Sequence, residues 1–242
     1  GSLFISTRFG NTNQIHEVKQ ALGDRKQLSF FDEAVRDAMI EPNNGKFLLF
    51  TKDIGGNEFS QIYRYDISTH QSTLLTDGGR TQNGNIEWSD DGNSILYTAT
   101  SGAKGNRDVY QMDPLKPGSS KKIIENEGGG WSIADWNQTK DEVLMGQSTS
   151  INETSIWLGN VKDGSKKKIL PEIAEKTVYN PIAFDKNGKN IFLITNLNSE
   201  FLYPAIFNIN TKKITRIGKA INWDVSGFEL NESQTKVAIT YN

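Results

Sequence analysis

Serine chemistry is the first possibility that the residues of this sequence raise. The segment Gly146-Gln147-Ser148-Thr149-Ser150 approaches the Gly-x-Ser-x-Gly pattern of a nucleophile elbow, but its last position is Ser150 instead of glycine. Such an elbow also needs a downstream acid and a histidine, and no such combination is present. Since an activated nucleophile needs an adjacent base, we predict no catalytic residue and no hydrolysis of peptides or esters by this chain alone.

Metal and phosphate chemistry find little support in the sequence. Only two histidines, His16 and His70, and no cysteine are present, and no Asp-x-Asp-x-Asp-Gly calcium loop occurs. The glycines at 128–130 are not followed by the Lys-Ser or Lys-Thr of a phosphate loop. We therefore predict no metal and no cofactor. A pair of carboxylates for glycoside hydrolysis stays open, because nothing in the sequence selects one pair.

The overall charge argues against two classes of partner. Lys and Arg number 27 against 29 Asp and Glu, so the formal net charge is −2. This balance gives no general attraction to nucleic acid or to an anionic membrane surface, and no apolar run is long enough to span a bilayer. We predict neither nucleic-acid binding nor membrane insertion. The absence of cysteine fits the bacterial cytoplasm and the periplasm equally well, so the compartment stays open.

The elements that would have to position reactive groups follow a regular repeat. The turn dipeptides Asn44-Gly45, Asp91-Gly92 and Asn187-Gly188 each precede a short apolar run, as in a β-hairpin. Gly45 and Gly92 are 47 residues apart, and Gly92 and Gly188 are 96 apart, with Thr139-Lys140-Asp141 as a degenerate turn halfway. The apolar runs are Phe47-Leu48-Leu49-Phe50, Ile95-Leu96-Tyr97, Val143-Leu144-Met145, Ile191-Phe192-Leu193-Ile194 and Val237-Ala238-Ile239. Such a period, with several strands per unit, predicts a β-propeller.

Each repeat accommodates four strands. In the clearest copy we predict strand a at about 84–88, strand b at 94–101, strand c at 108–113 and strand d at 121–125. Strand c is the most regular, because it places a β-branched residue beside an aromatic residue and closes with Asp or Asn. His16 occupies the aromatic position of its copy, so we expect it to pack in the core.

The repeat predicts an all-β fold, a single β-propeller domain over residues 1–242 with four-stranded antiparallel blades. The predicted blades are a partial blade at 1–30, blades at about 31–77, 78–126, 127–171 and 172–218, and a partial blade at 219–242. We expect these roughly five blades to be cut from a larger propeller of six or seven blades. The alternative is that the last strands close the first blade. One helical turn is expected, at 171–176.

Two ends of the propeller differ in composition. The loop end carries the loops from strand b to c and from strand d to the next strand a, whereas the turn end carries the a–b and c–d turns. Aromatic and arginine side chains, typical of binding surfaces, gather at the loop end. The predicted substrate or domain contacts there are Glu58, Arg80, Arg107, Trp131, Trp223 and Asp224. The alternative is that several of these aromatic residues are wedges between blades.

Particular segments resemble a known family. The copy Ile86-Glu87-Trp88-Ser89-Asp90-Asp91-Gly92 resembles the Trp-Ser-Pro-Asp-Gly repeat of TolB-like propellers. More selective segments are Glu127-Gly128-Gly129-Gly130-Trp131-Ser132, Gly55-Gly56-Asn57-Glu58-Phe59 and Asn222-Trp223-Asp224-Val225-Ser226-Gly227-Phe228. Together they resemble the N-terminal propeller of bacterial prolyl oligopeptidase family serine peptidases, the acylaminoacyl and dipeptidyl peptidase-like branch. The sequence departs from the pattern at Asp90, in place of proline, and at 137–140 and 231–234, which lack the Asp-Gly turn.

The resemblance implies a role without catalysis. In that family a C-terminal α/β-hydrolase domain supplies the catalytic Ser, Asp and His, and the propeller restricts entry to small peptides. This chain would then gate access and contact the peptide substrate and a hydrolase domain beyond Asn242. A second hypothesis is a stand-alone TolB-like periplasmic propeller that binds a protein partner. A third is a propeller enzyme such as a lyase or a glycosidase.

Overall fold

The computed structural model describes residues 2–101, 105–171, 176–231 and 233–242. Within these ranges the only helical element is the short 3-10 turn Gln138–Lys140. No helix in the described part of the chain is long and apolar enough to cross a membrane. The predicted all-β fold with four-stranded antiparallel blades is confirmed. The helical turn expected at 171–176 falls mostly on residues outside the described ranges.

Contacts divide the chain into two compact units, residues 1–122 and 123–242. The first unit begins with a three-stranded sheet of β1 (Leu3–Arg8), β2 (Asn13–Val18) and β3 (Arg25–Gln27). A four-stranded sheet follows, with β4 (Arg36–Ile40), β5 (Phe47–Lys52), β6 (Gln61–Asp66) and β7 (Ser72–Leu74). The next sheet comprises β8 (Asn83–Trp88), β9 (Ile95–Ser101), β10 (Asn106–Met112) and β11 (Lys121–Ile124), and the division between the units falls within β11.

The second unit continues the same pattern. Its first four-stranded sheet comprises β12 (Trp131–Asn137), β13 (Glu142–Ser150), β14 (Glu153–Asn160) and β15 (Lys166–Leu170). The next comprises β16 (Tyr179–Phe184), β17 (Asn190–Thr195), β18 (Tyr203–Asn208) and β19 (Ile214–Arg216), and a two-stranded sheet of β20 (Val225–Leu230) and β21 (Val237–Tyr241) ends the chain. Every sheet is an antiparallel meander, so each four-stranded sheet supplies strands a to d in order. The single-domain organisation over 1–242 stays a prediction.

Burial on both faces explains why the strands in the second position of each blade read as continuous apolar runs. In β5, Phe47 and Leu49 pack in a cluster with Ile95 of the following sheet. The alternate residues Leu48 and Phe50 point to the other face and pack in a cluster with residues of the preceding sheet. Successive side chains of a strand alternate between faces, so a sheet that is covered on both sides needs apolar residues at every position. His16 is 1% exposed, which agrees with the expected core position.

The turn end is closed by backbone geometry that repeats along the chain. Gly45, Gly92 and Gly188 adopt the left-handed conformation, with φ of +59°, +64° and +58°. In the degenerate turn, Asp141 takes this role with φ of +56°, because a short polar side chain tolerates that region better than most. Neighbouring turns also contact one another, as when the Lys186 amide donates to Gln234 Oε1 over 2.9 Å, 48 residues away.

Candidate functional site

A polar cavity opens among the loops at the loop end of the first unit. Its volume is about 380 Å³, and its walls are formed by Arg36, Asp53, Glu58, Ser60, Gln82, Asn83 and Arg107. These residues come from the loop between β5 and β6, from the start of β4 and β8, and from β10. The structure thus brings together two of the predicted contacts, Glu58 and Arg107. Arg36 and Asp53 join them, although the sequence did not single out either residue.

Arg107 is held in the cavity wall by neighbouring polar groups. Its Nη2 donates to Gln82 Oε1 over 3.1 Å, and its Nη1 donates to Thr98 Oγ1 over 3.3 Å. Half-burial lowers the pKa of Arg107, because desolvation penalises the charged form. A guanidinium keeps its charge at neutral pH even so. The wall therefore carries a fixed positive charge in a partly dehydrated position, where electrostatic interactions are stronger than in water.

The loop that carries Asp53 and Glu58 has a defined conformation. Glu58 adopts a φ of +63°, in the left-handed region that favours glycine. The Asn57 side chain caps the loop, because its Oδ1 accepts from the Phe59 amide over 2.9 Å. At the other side of the loop, the Gly55 amide donates to Glu33 Oε1 over 2.8 Å. This hydrogen bond, followed by the Lys52 ammonium at 3.1 Å, lowers the pKa of Glu33.

Gln61, at the start of β6, fixes the loops on both sides of the cavity. This side chain is fully buried. Its amide nitrogen donates to three backbone carbonyls, those of Phe59 (3.3 Å), Gly79 (3.2 Å) and Thr81 (2.9 Å). Its oxygen accepts from Thr76 Oγ1 (2.7 Å) and from the Gly78 amide (3.0 Å). Gln61 therefore positions both the b–c loop and the d–a loop.

Sequence reasoning missed this role, although a signal for it was present. Gln14 stands 47 residues before Gln61 at the start of β2, and it makes the same kind of contacts, accepting from Ser29 Oγ over 2.8 Å and donating to the Phe31 carbonyl over 2.8 Å. Asp108 follows at the same spacing and is also fully buried. A polar residue that recurs immediately before the buried β-branched residue of strand c marks a side chain whose partners are the neighbouring loops.

Arg80 lies on the d–a loop that Gln61 anchors. Its guanidinium carbon is 5.0 Å from the centre of the Phe59 ring, within the range of a cation–π interaction. Arg80 is exposed and Phe59 is half-buried. The pair forms a solvent-facing stack of the kind that binding surfaces use as an anchor.

The remaining predicted contacts lie in the second unit and differ sharply in exposure. Trp131 is only 4% exposed; its ring packs on Trp157 with centroids 5.1 Å apart, and its Nε1 donates to the Glu127 carbonyl over 3.0 Å. Trp131 thus belongs to the interior of its own sheet. Trp223, in contrast, is 63% exposed. Asp224 is also exposed, but one carboxylate oxygen accepts from the Leu202 amide over 2.7 Å.

Metal ligation is not supported by the arrangement of side chains. Among the described residues, no group of three or more His, Asp or Glu side chains is placed to hold a metal ion. The nucleophile-elbow segment also lacks the required context, because 142–150 form strand β13 and not a strand-to-helix turn.

The sequence matches no known protein family and no curated protein. Solved structures nevertheless share its architecture. An oligogalacturonate lyase in complex with manganese has a TM-score of 0.75 at 12% identity, with 97% of this chain and 66% of that chain covered. A prolyl endopeptidase has a TM-score of 0.71 at 10% identity, with 95% and 36% covered. TolB from Acinetobacter baumannii has a TM-score of 0.61 at 18% identity, with 88% and 51% covered.

These likenesses define the class of protein as a β-propeller, and the sequence repeat predicted this fold. At such low identities they establish the fold alone. The chain spans 51% of the TolB chain and 36% of the prolyl endopeptidase chain, and in each case most of its own length is matched.

Proposed function

We propose that this chain is the propeller of a serine peptidase of the prolyl oligopeptidase family, joined in the full protein to a C-terminal α/β-hydrolase domain. The propeller itself does not catalyse. It restricts access to small peptides, and its loop end contacts the peptide or the hydrolase domain. The observation that carries the proposal is the charged cavity at the loop end, on a fold that a prolyl endopeptidase shares over 95% of this chain.

The exposed side chains at the loop end suit this role. Arg80 on Phe59 and the protruding Trp223 are the residue types that supply most of the binding energy in protein interfaces. Glu58 and Arg107 would add charge selection in the cavity, and Asp224 lies beside Trp223. In the first unit, the arginine and acidic groups of the cavity would favour the charged ends of a peptide.

The second candidate is a stand-alone TolB-like propeller of the bacterial periplasm, which binds a protein partner. It is supported by the fold that TolB from Acinetobacter baumannii shares over 88% of this chain. The loop end would again be the binding surface, but its partner would be a separate protein. The peptidase hypothesis allows either the cytoplasm or the periplasm.

The complete reading frame and active-site labelling distinguish the two candidates. We expect a Gly-x-Ser-x-Gly segment after residue 242, and labelling of that serine in the full protein by a fluorophosphonate. The full protein should hydrolyse aminoacyl or dipeptidyl chromogenic substrates, and replacement of the serine by alanine should abolish both labelling and turnover. The 242-residue chain alone should show neither. A reading frame that ends near residue 242, behind a secretory leader, would overturn the peptidase hypothesis in favour of the TolB-like one.

A further inference from the structure

A second cavity of the first unit lies beside β9 and β10. Its volume is about 300 Å³, and its wall includes Asp77, Tyr97, Tyr110 and Ser120. We propose that this tyrosine cavity binds a small quaternary ammonium ion of about the size of choline. The inference goes beyond the proposed function, because the tyrosine cavity shares no charged residue with the cavity at the loop end and its ligand needs no hydrolase domain.

The wall of the tyrosine cavity carries a negative charge. Asp77, on the d–a loop after β7, is the one charged residue among the described residues that line it. Its Oδ1 accepts from the Gly79 amide over 3.0 Å and from Thr81 Oγ1 over 2.9 Å, so the carboxylate is held in place. In the described part of the chain Asp77 makes no ion pair. A cation would supply the counter-charge that a carboxylate needs when a ligand displaces its water, whereas an anion would be repelled.

Two tyrosine rings form the aromatic part of the wall. Tyr97 of β9 and Tyr110 of β10 are opposite each other in the sheet, and their rings stack with centroids 5.6 Å apart. Tyr97 is buried and Tyr110 is half-buried, so Tyr110 offers the more accessible ring. Burial raises the pKa of Tyr97, and the Asp77 carboxylate adds to the increase; this ring is therefore a neutral phenol at pH 7. The faces of neutral aromatic rings attract cations electrostatically.

Other polar groups of the wall already bond within the protein. The Tyr97 and Ser120 hydroxyls share a hydrogen bond of 2.6 Å, and Thr76 Oγ1 donates to Gln61 Oε1 over 2.7 Å. A sugar or a primary ammonium ion would compete for these groups, since each of its O–H or N–H donors needs a partner when it leaves water. A quaternary ammonium ion has no N–H donor. It is held by a negative charge and by aromatic faces, which this wall supplies.

Apolar side chains complete the match to the ligand. Leu75 and Ala99 also line the cavity, and both belong to the core cluster of the first unit that contains Tyr97. The N-methyl groups of a quaternary ammonium ion gain from contact with such surface, because burial of apolar area is favourable. A volume of about 300 Å³ suits a small molecule.

Calorimetric titration of the 242-residue chain at pH 7 and constant ionic strength tests the proposal with three probes. Choline carries the quaternary ammonium group, 3,3-dimethyl-1-butanol is its neutral carbon isostere, and glucose is a neutral sugar. We expect choline to bind at least about tenfold more tightly than either neutral probe. Equal binding of choline and its isostere, tighter binding of glucose, or no binding of choline up to about 20 mM would overturn the proposal.

NMR of the unsubstituted chain locates the bound ion. We expect nuclear Overhauser contacts from the N-methyl protons of choline to the ring protons of Tyr110, together with amide shifts at Asp77 and Ala99. Contacts to other aromatic rings without any to Tyr110 would show that choline binds elsewhere, and would overturn the assignment to the tyrosine cavity.

Substitutions separate the charge from the ring. Asp77→Asn should weaken choline binding by about tenfold and leave the isostere unchanged. Asp90→Asn is the matched control, because it removes the same charge from an exposed turn of the same sheet; equal affinities of these two variants for choline would contradict the role of Asp77.

The aromatic ring has its own pair of variants. Tyr110→Leu should weaken choline binding by about three- to fivefold, whereas Tyr110→Phe, which keeps the ring, should bind choline as the wild type does. Equal affinities of the leucine and phenylalanine variants would show that the Tyr110 ring does not hold the cation.

Discussion

Polar side chains at the two ends of the blades differ in their hydrogen bonding. At the turn end, polar side chains bond to their own turn: Asp66 accepts from Ser68 and Thr69, and Asp91 accepts from Ser89 and Asn93. At the loop end of the first unit, Arg36, Asp53 and Glu58 line a cavity without such bonds among the described residues. The contrast shows that side chains at the turn end stabilise their own turns, whereas these three side chains at the loop end do not.

The largest expected effect concerns the residue that supports the loop end. Gln61→Leu removes a buried amide and leaves the carbonyls of Gly79 and Thr81 and the Gly78 amide without their partner. Since these hydrogen bonds are partly shielded from water and are lost together, we expect the free energy of unfolding to fall by about 2–4 kcal/mol. Urea denaturation measures this loss.

Gln61→Leu should also loosen the d–a loop that Gln61 anchors. The d–a loop contains the exposed Arg80, so trypsin should cleave after this residue faster in Gln61→Leu than in the wild type. Gln71→Leu is the matched control, because Gln71 is exposed at the turn end, and its unfolding free energy should change by no more than about 0.5 kcal/mol. Similar losses in the two variants would show that Gln61 has no special role.

A pair of glycines compares the two ends directly. Gly92, at the turn end, and Gly55, at the loop end, both have a φ of +64°. A Cβ on Gly92 would lie 2.7 Å from Glu41 Oε1 and 2.9 Å from Asn43 Nδ2, whereas a Cβ on Gly55 would meet nothing within 4 Å. We expect Gly55→Ala to lower the unfolding free energy by about 1 kcal/mol, from backbone strain alone.

Gly92→Ala should destabilise the fold more than Gly55→Ala, because it adds a steric clash with the Glu41 carboxylate to the backbone strain. The backbone amides of Asn43 and Asn44 hold this carboxylate in place. We expect a loss larger by about 1–2 kcal/mol than that of Gly55→Ala, measured under the same denaturation conditions. Equal losses would mean that the turn end is no more tightly packed than the loop end.

The repeat made the turn end predictable from sequence, and the loop end only in part. Asn-Gly and Asp-Gly dipeptides before apolar runs have one physical meaning, a left-handed residue in a hairpin turn, so Gly45 and Gly92 fell where the spacing placed them. Even the degenerate turn has a residue in the left-handed conformation, namely Asp141. Local sequence carries this information because the constraint is local.

The exposure of a side chain at the loop end depends on residues that are distant in sequence. Sequence patterns therefore could not predict which of these side chains are exposed. Trp131 and Trp223 both follow a strand d and were predicted as equal contacts, yet one is 4% exposed and the other 63%. The difference arises because Trp157, on β14, covers Trp131. Likewise, Arg36 and Asp53 are separated by a hairpin in sequence, and only the folded loops make them share a cavity.

A smaller expected effect is the pH dependence of stability at the turn end. Hydrogen bonds from the Ser68 hydroxyl and then the Thr69 amide lower the pKa of Asp66 from 3.8 to about 2. A depressed folded-state pKa stabilises the fold above the ordinary value, and this contribution is lost as the pH falls toward 2. The stability difference between the wild type and Asp66→Asn should therefore shrink between about pH 4 and pH 2. NMR titration of the Asp66 carboxyl checks the pKa directly. A pKa near 3.8 would show that the Ser68 and Thr69 hydrogen bonds do not stabilise the charged carboxylate.

Under the proposed function the full-length protein is a peptidase, and its steady-state kinetics most directly test the central proposal, that the loop end serves a hydrolase domain. Arg80→Ala and Trp223→Ala should each raise KM or weaken domain association by roughly tenfold or more, as truncation of an interface anchor typically does. Lys121→Ala and Lys167→Ala, on exposed positions of β11 and β15, should leave both quantities unchanged. Lysine variants as impaired as the other two, or four variants all indistinguishable from the wild type, would contradict the claim.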